Sequence, residues 1–451
     1  MTSIIMSEEQ FLKEMDVLKP QRYHYFITAL SDAGYFLDGY DLLVIGPALI
    51  FIGPLFGLST AVSALVGVAT IIGQLFGGAI FGFVADLKGR KVIYQWDMLI
   101  FAIFAILSGL STNATELIIF RALLGLAIGA DYTLTLSIIG EYSPVKGRGK
   151  FLGTGLMSWW IGGAVAVALG LLFLPFGDIA WRYLLAAGAI PAIIVLILRR
   201  NVEETPRFAA EKNNTKEISE IKRKFGITKD EKVSSEADGA NIVPNYKKRS
   251  VFVFVSWFLN DLIFYGIGIY TTVLLLELGY STHAGSLTLT LMLYIIGVVG
   301  TLAFVFTADI FGRKKWQAYT FLLQGLALFV LGLYAIIVKS SPPILLLFPM
   351  FAIFYFANAG GTGETTGIFV SELFPTRHRT TALGAGTAIS RVGAIISAVV
   401  FPITLTLYGI VPMEMLLFAV GLSGFLVTMF LGEETKNRSL ESISSDLVAS
   451  R

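Results

Sequence analysis

Residues 85–91 read ADLKGRK, and residues 308–314 read ADIFGRK. A second motif follows each copy: EYSPVKGR ends at Arg148, and ELFPTRHR ends at Arg379 with the same spacing of Glu, Pro and Arg. Two matches in the same order indicate that the chain contains two related halves. Both motifs lie between long apolar stretches, so they mark equivalent connections in the two halves.

The apolar stretches predict a membrane protein. The 451-residue chain is 55% hydrophobic and only 15% charged, with a mean hydropathy of +0.74, which is far more apolar than a soluble domain. A membrane-spanning helix needs roughly 20 apolar residues. The runs are too long for barrel strands, and many are rich in Gly and Ala, as packed membrane helices are. The predicted spans are 23–49, 60–85, 92–112, 115–140, 151–174, 181–199, 250–277, 284–308, 316–338, 343–371, 383–409 and 411–432.

The predicted fold class is therefore an all-α membrane protein with twelve transmembrane helices in two pseudo-symmetric six-helix bundles. A polar central loop, 200–249, separates a bundle at 1–199 from a bundle at 250–432, and a tail covers 433–451. The basic clusters DLKGRK, SPVKGRGK, FGRKK and PTRHR are all predicted on the same side of the membrane as this loop. By the positive-inside rule, that side and both termini are expected in the cytoplasm of a multi-pass protein of the plasma membrane.

Composition excludes several classes of function. The net charge of +2 gives no general basic character for binding nucleic acid. The chain has no Cys, and its three histidines are too scattered to suggest a metal cluster. Neither a P-loop nor an HExxH motif is present, and the carboxylates form no recognisable reaction centre. We therefore expect no enzyme activity, no metal and no cofactor, with an ion gradient as the energy source.

Acidic residues inside the spans are the first candidates for function. SDAGYFLDGYD, residues 31–41, places three aspartates in the first span, and Asp131 lies well inside the fourth. A buried carboxyl group that takes up and releases a proton can couple solute movement to a proton gradient. Asp38 and Asp41 lie near each other on one helix face, so repulsion favours protonating one of them. Alternatively, these acids cap helices or pair with arginine, and Arg121 is a candidate partner for a first-span carboxylate.

Two further patterns suggest a substrate site. Trp257, Asp261 and Tyr265 recur every four residues and form one stripe on the seventh span. The alternative is packing between helices. Arg391 lies deep in the eleventh span, where a guanidinium suits bidentate capture of phosphate or carboxylate. Its competing role is charge compensation for Asp261 or Glu364, and we rank anionic substrates above neutral sugars.

GFVADLKGRK at 82–91 resembles the loop signature of the major facilitator superfamily, and the second copy differs in having Val305 for the leading Gly. The resemblance covers nearly the entire chain. A carboxylate at one helix end that faces guanidinium groups can lock one side of a carrier and release it. The alternative is a topological anchor without gating. The predicted gating residues are Asp86, Arg90, Glu141, Arg148, Asp309, Arg313, Glu372 and Arg379.

Within the superfamily, GYFLDGYDLLVI is similar to the first span of phosphate:proton symporters and to a pattern of aromatic acid:proton symporters. GLAIGADYTLTLSIIGEYSP and WFLNDLIFY resemble the fourth and seventh spans of the phosphate family, and VEETPRF more distantly resembles a stretch of sugar porters. Two positions depart from the phosphate pattern: Ser158 or Trp159 replaces a Gln, and Gly363 beside Glu364 replaces an Asn. The phosphate resemblance implies substrate contacts at Tyr132, Trp257, Asp261 and Tyr265, and proton-linked carboxylates at Asp38, Asp41 and Asp131.

We therefore expect a secondary active transporter that carries out proton-coupled symport of a small polar solute, phosphate or an organic carboxylate, by alternating access. The alternative is a proton-coupled monosaccharide transporter, in which Trp257, Asn260 and Tyr265 contact the sugar and Arg391 is structural. A non-transporting membrane sensor ranks last. The expected partners are the solute, protons and the lipid bilayer, and we expect the protein to function as a monomer.

Overall fold

The computed structural model describes residues 8–144, 148–227, 246–277, 282–436, 438 and 443. That part of the chain is helical and contains no β-strand. A 3₁₀ segment spans Leu174–Ile179, and a π-helical turn spans Asn358–Thr362. The helices are α1 Glu8–Val17, α2 Arg22–Phe56, α3 Thr60–Lys88, α4 Arg90–Leu110, α5 Ala114–Tyr142, α6 Arg148–Phe173, α7 Ala180–Ala187, α8 Ala189–Arg199, α9 Pro206–Glu211, α10 Thr215–Phe225, α11 Tyr246–Glu277, α12 His283–Phe311, α13 Arg313–Val338, α14 Ile344–Ala357, α15 Gly363–Leu373, α16 Thr376–Tyr408 and α17 Ile410–Leu431.

Eleven stretches of the described chain are long and apolar enough to cross a membrane. The fifth, 150–199, contains two crossings, because the helix is broken at Leu174–Ile179 and Gly177 adopts a left-handed φ of 60°. Just after this turn, Arg182 donates hydrogen bonds to the carbonyls of Gly109 and Ser111 at the C-terminal end of α4. The pair α7–α8 therefore runs back alongside α4, and the prediction of twelve spans is confirmed.

The two halves, α2–α8 and α11–α17, repeat the same helix crossing. Gly162 of α6 lies against the carbonyl of Phe36 in α2, where a Cβ would not fit. Gly393 of α16 lies in the same way against the carbonyl of Phe258 in α11. The symmetry predicted from loop motifs thus extends into the helices, and the two six-helix bundles are confirmed.

The charged motifs lie at one end of the helices, which we call the basic face. At this end, backbone atoms of the first half contact backbone atoms of the second half directly. A Cβ on Gly82 of α3 would lie 2.7 Å from the carbonyl oxygen of Thr380, and Gly384 of α16 lies directly against the backbone of Gly78. Close approach of two helices at small residues is typical of membrane interfaces. The halves are therefore in tight contact near the basic face.

The described part of the central loop contains two short helices that sequence reasoning missed. The α10 helix begins after Asn214, whose side chain accepts from the backbone N–H of Glu217, and ends at Gly226 in a left-handed conformation. Ile221 and Phe225 are its buried residues. The loop is thus partly folded on the basic face.

Candidate functional site

A central cavity of about 40 Å³ lies between the two halves, enough for only a few water molecules. All six substrate contacts proposed from the sequence line this one cavity. In this conformation the site contains little free space. The lining residues are Tyr132, Leu156, Trp159 and Trp160 from the first half, and Trp257, Asn260, Asp261, Phe264, Tyr265, Asn358, Gly363, Glu364 and Arg391 from the second.

Arg391 forms a buried ion pair in the cavity wall. Its Nη1 donates to Oδ2 of Asp261, and Asn260 Nδ2 donates to the other carboxylate oxygen at 3.2 Å. The guanidinium carbon lies 5.3 Å from the ring centre of Tyr132 and 5.2 Å from that of Tyr265, within cation–π range. Of the two partners considered from the sequence, Asp261 is the one that compensates Arg391. Nε of Arg391 keeps a free donor, since it has no hydrogen-bond partner in the described chain.

Glu364 is a buried acid without a cationic partner among the described residues. It lies on α15 directly after the π-helical turn and is fully buried. The Thr301 hydroxyl lies beside its carboxylate but donates to backbone carbonyls, and Trp159 Nε1 has no acceptor in the described chain. Buried polar groups are nearly always paired, so unpaired ones in a cavity wall indicate a position for a ligand or water.

A neutral hydrogen-bond network adjoins the cavity in the second half. Asn358 Nδ2 donates to Asn260 Oδ1 at 3.0 Å and to Gln324 Oε1 at 3.2 Å. Gln324 Nε2 donates to Thr362 Oγ1 at 2.8 Å. Sequence reasoning missed Gln324 and Thr362. Their signal was a buried amide in the span 316–338 and a buried hydroxyl in the span 343–371, which becomes informative only when the spans are known to meet.

The first half contains a charged network instead. Arg199 Nη1 donates to Asp131 Oδ1 at 2.6 Å and to Asp97 Oδ1 at 3.1 Å. Asp38 lies within the field of these three charges, and it is fully buried with no hydrogen-bond partner for either oxygen among the described residues. Sequence reasoning proposed Asp38 and Asp131 but missed Asp97 and Arg199. The missed signals were an acid inside the third span and an arginine at the end of the sixth.

Asp41 has a cationic partner of its own, Arg121. Arg121 Nη1 donates to Asp41 Oδ1 at 2.7 Å, and Nη2 donates to the Asp41 backbone carbonyl at 2.7 Å. Both side chains are buried. In the structure Asp41 is thus paired with arginine, which is the alternative considered from the sequence. Asp38 has no hydrogen-bond partner among the described residues.

Four predicted gating residues form one cluster on the basic face. Arg90 pairs with Asp86 at 2.9 Å and with Glu141 at 3.3 Å. Arg379 of the second half also pairs with Glu141 at 3.3 Å, and Asp86 Oδ2 accepts from the backbone N–H of Thr381 at 2.6 Å. Glu141 and Asp86 therefore connect the two halves.

The second copy of the motif forms an equivalent pair within its own half. Arg313 pairs with Glu372 at 3.3 Å, and both side chains are buried. The side chains of Arg148 and Asp309, the remaining predicted gating residues, lie outside the described residues.

Two further acids on the basic face were missed from the sequence. The backbone N–H groups of Arg90 and Lys91 donate to Glu204 at 3.1 and 3.3 Å, at the start of α4. Glu434 accepts in the same way at the start of α13, at 3.0 and 3.3 Å. The available signal was a third repeat, the tripeptide EET at 203–205 and 433–435. Each carboxylate binds a helix N-terminus, where negative charge is favourable.

A larger cavity, of about 270 Å³, lies toward the face opposite the basic one. Both halves contribute to its wall through α2 and α3 on one side and α11 and α16 on the other. The molecule is thus tightly packed near the basic face and more open near the other. The lining residues include Gly53, Leu58, Thr60, Tyr270, Val273, Phe401 and Leu405.

Known proteins resemble the chain along most of its length. Residues 26–447 match the family model described as sugar (and other) transporter. The inner membrane metabolite transport protein YgcS of Escherichia coli is 30% identical over 428 residues, 94% of each chain. The low affinity inorganic phosphate transporter 8 of Medicago truncatula is 30% identical over 533 residues, 96% of this chain and 93% of that one.

Among solved structures, the major facilitator superfamily proton:xylose symporter XylE bound to 6-bromo-6-deoxy-D-glucose has a TM-score of 0.80. The match covers 93% of this chain and 98% of that one at 20% sequence identity. At this identity the likeness establishes a shared fold.

Proposed function

The chain belongs to the sugar (and other) transporter family of the major facilitator superfamily, and from this premise we propose that it is a proton-coupled symporter of a small organic carboxylate or phosphate. As a multi-pass membrane transporter, it needs a site for the solute and a group whose charge changes with the proton. The central cavity supplies the first, and the charged network of the first half supplies the second.

Asp38 is the observation that carries the proposal. Around it, Asp97 and Asp131 share a single cation, Arg199, so with Asp38 ionised the network contains three negative charges and one positive charge. An uncompensated charge in a low-dielectric interior is unfavourable, and binding a proton removes it. We assign proton binding to Asp38 together with Asp131, and Asp41 joins them when its pair with Arg121 opens.

Alternating access follows from the asymmetry between the two faces. We place the basic face in the cytoplasm by the positive-inside rule, which makes this conformation closed on the cytoplasmic side. The cluster around Glu141 would open when the halves rock, and the predicted gating residues would exchange partners. The expected location is the plasma membrane, and the central cavity between the halves of one chain makes a monomer sufficient.

For the substrate, Arg391 between Tyr132 and Tyr265 supports an organic anion. A second candidate is a monosaccharide. The amides of Asn260 and Asn358 line the cavity beside aromatic rings, an arrangement that suits hydroxyl groups stacked on an apolar wall.

The test is uptake into proteoliposomes at two external pH values, comparing radiolabelled phosphate, carboxylates and glucose. Uptake of one solute should rise when the outside is acidic. Asp38→Asn should abolish stimulation by the gradient, because the side chain no longer binds a proton, and should retain counterflow exchange of the same solute. Asp178→Asn is the matched control, since Asp178 is exposed in the turn between α6 and α7.

Stimulation that persists in Asp38→Asn would contradict the proton-binding role. Uptake of no solute at either pH would contradict the transport assignment itself. Preference for glucose over every anion would favour the second candidate.

A further inference from the structure

The charges of the acidic and basic residues that line the central cavity do not sum to zero. Asp261 already compensates Arg391, and Glu364 adds a negative charge that no described residue pairs with. With all three ionised, the cavity wall has a net charge of −1. Inorganic phosphate would bring further negative charge into a closed site of about 40 Å³ that Glu364 also lines. Like charges enclosed together in a low dielectric repel strongly.

The free hydrogen-bonding atoms of the cavity are of two kinds. Among the described residues that line the cavity, the buried donors without an acceptor are Arg391 Nε and Trp159 Nε1. The two oxygens of Glu364 have no cationic donor there, and the Thr301 hydroxyl beside them donates to backbone carbonyls. Asp261 uses Nη1 of Arg391, so the guanidinium still has a donor for a carboxylate. A ligand that satisfies both sets needs a group that accepts and a positively charged group that donates.

The rest of the wall also suits a cation. Six aromatic side chains line the cavity, and Trp159, Trp160 and Phe264 form one cluster with ring centres 5.1 to 6.2 Å apart. Ring faces attract ammonium groups, and the attraction is larger where water is excluded. An aromatic wall beside an unpaired carboxylate is thus a favourable environment for a protonated or quaternary amine.

Resting on the transport function proposed above, we infer that the solute is a zwitterion, an organic carboxylate that also carries a positively charged amine, as amino acids and betaines do. Glu364 and the aromatic cluster receive the ammonium end, and Arg391 receives the carboxylate. This assignment excludes inorganic phosphate and neutral sugars as the main substrate.

Equilibrium binding to the purified full-length protein in detergent, measured by calorimetry without any pH gradient, tests this inference. The probes are pairs matched except for the amine: alanine with propionate, phenylalanine with 3-phenylpropionate, and glycine betaine with 3,3-dimethylbutyrate. Inorganic phosphate and glucose complete the panel. We expect at least one zwitterion to bind about tenfold or more tightly than its amine-free partner. Tighter binding of phosphate, glucose or the amine-free acids overturns the inference, and so does a lack of binding by every zwitterion.

The Glu364→Gln variant separates two roles of this acid. A carboxylate that pairs with an ammonium is not replaced by an amide, so zwitterion affinity should fall by about tenfold or more. A protonated Glu364 that donates to an anion would be mimicked by Gln, so affinity within about threefold of the native protein overturns the inference. Glu414→Gln is the matched control: Glu414 is equally buried, in α17, but does not line the cavity, and native affinity is expected.

The paired panel on the native protein decides the question even if Glu364→Gln does not fold. Because binding is measured without a gradient, loss of proton coupling leaves this result intact. Conversely, coupled uptake of an amine-free anion would support the transport proposal and overturn the inference that the substrate is a zwitterion.

Discussion

The two halves of this protein place opposite kinds of polar side chain at equivalent positions. The first half has acids around one arginine, and the second has hydroxyls and amides that pair with one another. The charge of the first set changes when a proton binds, whereas the second set is neutral at every physiological pH. The comparison indicates that one half of a duplicated scaffold contains a buried cluster of titratable acids, whereas the other half contributes most of the cavity wall. Aligned on the repeated motifs, Asp97 corresponds to Thr320 and Asp131 to Thr362. Aligned on the helix crossings at Phe36 and Phe258, Asp38 corresponds to Asn260.

The largest expected effect comes from breaking the charge balance of the first half. Arg199→Met removes the one cation that Asp97 and Asp131 share, and leaves buried acids without compensation. Breaking a buried pair in this way costs roughly 3–5 kcal/mol. We expect the free energy of unfolding in detergent to fall by about that amount.

A triple variant tests the comparison by replacing three charged residues of the first half with the uncharged residues found at the equivalent positions of the second half. Asp97→Thr, Asp131→Thr and Arg199→Met together remove all three charges of the pairs. Most of the lost stability should return, because no uncompensated pair remains, while stimulation of uptake by a pH gradient should be lost. A triple variant as unstable as Arg199→Met alone would show that charge balance is not the cause.

A smaller effect is expected where the halves are most alike, at the acids that bind the N-termini of α4 and α13. Glu204 is 8% exposed, whereas Glu434 is exposed to solvent. Glu204→Gln should lower the free energy of unfolding by about 1–2 kcal/mol, and Glu434→Gln by less than about 1 kcal/mol, because water screens the exposed carboxylate. Paired thermal unfolding of the two variants measures the difference, and equal losses would contradict it.

The smallest effect is expected at Glu203, which pairs with Lys91 at 3.2 Å and with Lys224 at 2.9 Å. Although partial burial opposes the shift, hydrogen bonds from Lys224 and Lys91 lower the pKa of Glu203 below its usual value. Its stabilising contribution is therefore present at neutral pH and is lost as the pH falls below the usual glutamate pKa, about 4.3.

Glu203→Gln should thus lower the melting temperature slightly at pH 7, by the equivalent of less than about 1 kcal/mol. At pH 4 the difference from the native protein should become smaller. A difference that grows on acidification would mean that the lysines do not stabilise this carboxylate.

Apolar periodicity and loop motifs were sufficient to predict twelve spans and two related halves, because both are local properties of the chain. The stripe of Trp257, Asp261 and Tyr265 also predicted three residues of the cavity wall, since spacing along one helix fixes a face. Partners across helices could not be predicted in this way. Whether Arg391 pairs with Asp261 or Glu364 depends on how α11, α15 and α16 meet, which no single segment specifies.

The π-helical turn explains another failure of sequence reasoning. Gly77 of α3 packs against Leu126, and Gly300 of α12 packs in the same way against Phe356. One residue more separates Phe356 from Glu372 than separates Leu126 from Glu141. The π-helical turn takes up this extra residue immediately before Glu364. The resemblance to the phosphate family placed an expected Asn at Gly363, beside Glu364, and the bulge and its effect on register were not visible in the sequence.

The backbone contact of Gly78 and Gly82 with Gly384 has a consequence for leakage. Dispersion between closely packed atoms weakens by a quarter to a half when a gap of roughly 0.5–1 Å opens. Two helices in contact through their backbones are therefore either closely packed or separated, because partly separated arrangements lose much of the contact energy. Such a contact prevents ions from leaking between the two halves near the basic face for as long as it is intact.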